Sequence, residues 1–115
     1  MSRENKIKLN NIKYSKENKY NNQKLEKLLK DLPEIGMIRI MADNPEKGIH
    51  TFILGFENNI EFSKKTFRKL PVESLTIYVL DKENKINNRK LLKEDIGTHN
   101  AIKKYGNMNV LYIIN

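Results

Sequence analysis

The chain has no cysteine and no tryptophan, and only three prolines and five glycines in 115 residues. Without cysteine there can be no disulfide, no thiolate metal site and no cysteine nucleophile, a usage that suits a reducing compartment, so a cytoplasmic location is expected. Long apolar runs are missing too. Residues 1–22 hold only Met1, Ile7, Leu9, Ile12, Tyr14 and Tyr20 as large apolar groups, which leaves no signal-peptide core of about 7–15 apolar residues. No later stretch reaches membrane-spanning length, and no membrane partner is expected. Gly36, Gly48, Gly55, Gly97 and Gly106 lie too far apart to form a phosphate loop or a dinucleotide fingerprint. The two histidines, His50 and His99, are isolated, and the carboxylates lack the spacing of a Ca²⁺ or zinc site. No metal, cofactor or catalytic residue is therefore assigned.

What the chain does have is positive charge. Its 22 basic side chains outnumber 14 acidic ones, for a net charge of +8. Four of the basic residues are arginine (Arg3, Arg39, Arg68, Arg89) and the rest lysine. The wealth of Lys, Asn and Ile points to an AT-rich genome, a bias that favours Lys over Arg but also favours Glu, so it does not by itself set the sign. Half of the excess sits in residues 1–22, where Arg3, Lys6, Lys8, Lys13, Lys16 and Lys19 face only Glu4 and Glu17. That segment shows no sustained period of 2 or 3.6 and is read as a basic, flexible N-terminal arm outside the fold. Residues 23–115 are read as a single α+β domain.

Within that domain, Leu25, Leu28, Leu29 and Leu32 fall on one helical stripe that Pro33 ends. Gly36 to Met41 and Ile49 to Phe56 read as paired strands around a turn-rich segment, the second apolar on both faces and hence central. Asn58-Asn59 is read as a hairpin turn into an edge strand, Ile60 to Phe62. Ser63 is read as the cap of a helix over Lys64 to Leu70, with Lys64, Lys65, Arg68 and Lys69 on an arc of about 140° and Phe67 and Leu70 on the inward side. No acid occurs between Phe62 and Val72. Ser74 to Leu80 alternates as a half-buried strand. A helix is expected from Asn88 to Ile96 with Gly97 as its left-handed cap, and another from Thr98 to Tyr105 closed by Gly106. Val110 to Ile114 reads as a last, central strand. The expected architecture is α+β, with a mixed or mainly antiparallel sheet of four to five strands and three to four short helices.

The charge suggests a non-enzymatic protein that binds nucleic acid, RNA or DNA, through Lys13, Lys16, Lys19, Lys64, Lys65, Arg68, Lys69, Arg89, Lys90, Lys103 and Lys104. Clustered lysines gain from counterion release on a polyanion, and Tyr14 and Tyr20 can stack on unpaired bases. A second expectation uses the same surface against an acidic protein or ribonucleoprotein, as an inhibitor or accessory factor from a phage or other mobile element. A third is a metal-independent ribonuclease with His50 and His99 as base and acid. Two motif matches fail. Lys47-Gly48 opens like an RNA-recognition strand, but Ile49 and Thr51 stand where its stacking aromatics belong. Glu83-Asn84-Lys85 has nuclease-like spacing but lies in a polar turn, where such residues are expected anyway.

Overall fold

The computed structural model describes residues 1–15, 19–86 and 91–114. Among them are helices α1 (Arg3–Lys13), α2 (Leu25–Asp31), α3 (Asn59–Phe67) and α4 (Thr98–Tyr105), and strands β1 (Met37–Asn44), β2 (Ile49–Gly55), β3 (Ser74–Leu80), β4 (Leu92–Asp95) and β5 (Asn109–Ile113). The strands form one sheet in the order β4-β1-β2-β3-β5, with every pairing antiparallel. The fold is α+β.

Antiparallel register decides which side chains share a face. Ile38, Leu54 and Leu75 lie opposite one another, as do Ile40, Phe52, Ile77 and Ile113. These rows form the core face, and Leu9, Leu25, Leu28, Leu29, Ala101 and Tyr105 pack on it from α1, α2 and α4. Tyr105 meets the Phe52 ring edge-on, with centroids 5.5 Å apart. The other face carries Met37, Arg39 and Met41 of β1 with their partners, and α3 covers part of it. Arg39 donates to Asn59 Oδ1 (3.3 Å) and Ser63 Oγ (2.9 Å), and its guanidinium lies 4.6 Å from the Phe62 ring centre.

β2 is the middle strand, as its two apolar faces predict, and β3 buries Leu75, Ile77 and Val79 in strict alternation. Five expectations need correction. The described residues of the expected arm, 1–15 and 19–22, are not outside the fold, because Ser2 accepts a hydrogen bond from the Asn5 amide (3.1 Å) and caps α1, while Leu9 and Tyr20 are buried in the core. Asn5, Leu9 and Ile12 fall on one helical stripe, which is enough to dock a short helix when the sheet offers apolar surface. Asn58-Asn59 does not turn a hairpin. Asn58 caps α3, accepting from the Glu61 amide (2.9 Å), so Ile60 to Phe62 is helical and the helix ends at Phe67. Of the helix expected over 88–96, residues 88–90 lie outside the described residues, and Leu92–Asp95 pairs with β1 as an edge strand. Gly97 is extended, with φ −83°, and precedes α4 rather than closing a helix. Finally, β5 is an edge strand, not a central one, and its Tyr112 is 49 % exposed.

The β1–β2 connection holds the left-handed glycine of the fold. Asn44 accepts from the Lys47 amide (3.4 Å) to start a single 3₁₀ turn over Pro45–Lys47, and Gly48 leaves it with φ 71°. A Cβ there would lie 2.5 Å from the Asp81 carbonyl oxygen, so both the backbone angle and the close approach require glycine.

Candidate nucleic-acid interface

α3 lies on the open face with Phe62 inward, and this phase decides what the helix shows to solvent. At 100° per residue, Ile60, Lys64 and Phe67 form its outward stripe. Ile60 is 64 % exposed and Phe67 91 % exposed. The inward placement expected for Phe67 and Leu70 is therefore corrected. The helix starts five residues before Lys64, Phe62 takes the anchoring role, and Leu70 lies past the helix end at 50 % exposure. Beyond Phe67 the chain turns sharply, with Arg68 as the C-cap, Lys69 in the left-handed region at φ 57°, and the Leu70 amide donating to the Lys65 carbonyl (2.8 Å).

The four cations expected on this helix part company. Lys65 is drawn aside into an ion pair with Glu57. Lys64 approaches Glu61 at 3.9 Å with both groups largely in water, a pairing of about 0–1 kcal/mol that leaves the ammonium accessible. Arg68 and Lys69 are exposed, and neither makes an ion pair with a described residue. At the end of α3, Lys64, Arg68 and Lys69 are thus all exposed within three residues of Phe67, whose ring is bare.

The remaining expected cations lie elsewhere. Lys103 is exposed on α4, in the layer that covers the opposite face. Its neighbour Lys104 donates to Glu94 Oε1 (2.8 Å), a bond that raises the lysine's pKa. Glu94 also accepts from Tyr105 Oη (2.6 Å). Burial pushes Glu94 upward, but the bonds from Lys104 and Tyr105 prevail and hold the carboxyl below its usual range. Burial, reinforced by Glu94, pushes the Tyr105 hydroxyl up to about 12. Lys13 ends α1 beside β5, and Lys19 lies 3.9 Å from Asp31, which also accepts from Tyr20 Oη (2.6 Å). Lys16, Arg89 and Lys90 lie outside the described residues. The candidates on α3 and those on α4 therefore occupy opposite sides of the sheet.

The two histidines differ in setting. His50 is 1 % exposed in the core face of β2, where a substrate phosphate cannot reach it, whereas His99 is exposed in the first turn of α4. The four cations around the end of α3 stand out in the sequence, but the exposure of Phe67 among them does not. The missing signal was Asn58: an Asn followed three residues later by Glu61 is a capping pattern, and it shifts the helical phase so that Phe67 turns outward. No helix among the described residues is long and apolar enough to cross a membrane. No protein-family model matches the chain, and no curated protein or solved structure matches it.

Proposed function

We propose that this protein is a non-enzymatic nucleic-acid-binding domain acting in the cytoplasm, and that the tip of α3 is its contact surface. The observation that carries the reading is the 91 % exposure of Phe67 within a cluster of Lys64, Arg68 and Lys69. Keeping a phenyl ring in water forgoes roughly 1.5–3 kcal/mol of burial energy. A base stacked on the ring recovers such a term, at about 1–3 kcal/mol, while the cations release counterions from the phosphates.

Fluorescence anisotropy with labelled RNA and DNA tests this. Log affinity should fall linearly with log salt, and charge reversal at Arg68 and Lys69 should reduce the slope by about one per lost phosphate contact. Phe67→Ala should weaken binding about tenfold or more at every salt concentration. Undetectable binding at about 50 mM salt, where phosphate contacts are strongest, sinks the proposal.

The exposure of Ile60 and Leu70 near Phe67 favours a second reading, in which the same tip docks on an acidic protein or ribonucleoprotein as a mobile-element inhibitor. Apolar and arginine anchors inside a polar rim suit such an interface. Loss of a defined host complex on Phe67→Ala, with nucleic-acid binding unchanged, would select it.

A further inference from the structure

The open face of the sheet continues past α3 into a row whose two ends stand exposed, while Thr51 within it is buried. Met41, Thr51, Tyr78 and Tyr112 are successive cross-strand partners in β1, β2, β3 and β5, on the same face as Arg39 and therefore on the same side of the sheet as α3. Tyr112 is 49 % exposed and Met41 39 %. The Tyr78 and Tyr112 rings meet at 4.7 Å and 81°, an edge-to-face contact that fixes the plane of the more exposed ring. Partial desolvation, helped by Tyr78 and by the Asp43 charge, holds the Tyr112 hydroxyl above its ordinary range.

Charge is arranged around this row unevenly. In its middle, Asp43 takes the Thr51 hydroxyl hydrogen bond, and a carboxylate there disfavours a phosphate lying directly over the row. At the β5 end, Lys13 of α1 and Tyr112 line one cleft of about 80 Å³ with Asn21. Lys13 makes no ion pair with a described residue. With an exposed acid in the middle of the row and a cation at its β5 end, the row suits a base at the Tyr112 end and backbone at the rim. Duplex bases are stacked on one another and present only their edges in the grooves, so a ring on the sheet face cannot reach their faces.

We infer that the Met41–Tyr112 row is a stacking platform for single-stranded nucleic acid, with an unpaired base laid on Tyr112 and the adjoining phosphate taken by Lys13. The inference rests on the nucleic-acid reading above and sharpens its substrate class from nucleic acid in general to an unpaired strand.

The test is anisotropy with a labelled single strand and the duplex of the same sequence, in both RNA and DNA, at one salt concentration. The single strand should bind about tenfold or more tightly than the duplex. Tyr112→Ala should cost about tenfold on the single strand, Tyr112→Phe should keep wild-type affinity because the ring remains, and Lys13→Glu should weaken binding and flatten the salt slope. Tyr112 is half exposed, and the Phe variant controls for any effect of Ala on the fold. Equal or tighter duplex binding, or a Tyr112→Ala variant that holds the single strand like wild type, overturns the platform while Phe67 and Arg68 variants still report on the α3 tip. Failure of the wild type to bind either form overturns both readings.

Discussion

His50 Nε2 lies 3.9 Å from Asp81 Oδ2, and the two side chains are 1 % and 2 % exposed. In the ladder His50 faces Ala42 and Val79, and neither ring nitrogen has a hydrogen-bond partner among the described residues. Asp81 is better served, because its Oδ2 accepts from the Ile86 amide (2.7 Å). Burial holds the His50 pKa below its ordinary value and outweighs the upward pull of Asp81 and Asp43.

Stability should follow that shift. The unfolded chain takes up the His50 proton near pH 6.5, whereas the folded chain resists it to lower pH. Stability is thus fully present above about pH 6.5 and is lost as pH falls from there toward the lower folded value. Urea unfolding between about pH 7.5 and 5 should show the midpoint falling, and His50→Leu should flatten that part of the profile. A profile unchanged by the substitution would assign the slope to other groups.

Leu9 offers a direct check on the placement of α1. Its side chain is fully buried, so Leu9→Ala should cost about 2–5 kcal/mol in urea unfolding. A residue on a solvated arm would change stability by no more than about 0.5 kcal/mol.

Lys69 couples stability and binding with opposite signs. Its φ of 57° is strained for a side chain bearing a Cβ, and Lys69→Gly should raise stability by about 1 kcal/mol. The same substitution removes a cation from the α3 tip and should weaken nucleic-acid binding. Melting temperature and anisotropy on the one variant should therefore move in opposite directions.

The Glu94 site should reward its tyrosine more than its lysine. Tyr105→Phe removes a part-buried hydrogen bond to a carboxylate and should cost about 1–2 kcal/mol. Lys104→Ala should cost about 0–1 kcal/mol, because the ammonium bonds Glu94 from a side chain that is 54 % exposed. Thermal unfolding of both variants and of the double variant measures the coupling.

Legibility in the sequence followed the strength of local pattern. Leu75, Ile77 and Val79 alternate so regularly that β3 has no competing reading, and the apolar faces of β2 placed it centrally. Where two local signals competed, the weaker pattern won through tertiary contact. Asn58 and Asn59 suit a hairpin as well as a cap, and the bonds from the Asn59 amide (2.7 Å) and side chain (2.9 Å) to Asp95 decide for the helix. Leu91, Leu92 and Ile96 imitate a helical stripe, but Leu92 to Asp95 complete the ladder beside β1, whose outer edge would otherwise stand open. The apolar run at Val110 to Ile114 suggested a strand covered on both sides, yet Tyr112 and Ile114 stay exposed because no helix among the described residues covers β5 on that face. The candidate site was half visible: the cations of α3 stand out in the sequence, but the ring among them depended on helical phase.

One closure in the fold sets the order in which the molecule can be made. The Asn22 amide donates to the Val110 carbonyl (2.7 Å), the Val110 amide to Gln23 (2.8 Å), and the Leu25 amide to Met108 (2.7 Å). An early segment thus seals the outer edge of β5, which is made after the other four strands of the sheet. A nascent chain can assemble the β1–β2–β3 meander, but the Asn22 and Leu25 amides lack their partners and the β3 edge stays bare until residues 108–113 emerge. Folding is therefore a late, long-range event, and a nascent chain halted before β5 would expose an open sheet edge to its neighbours on the polysome.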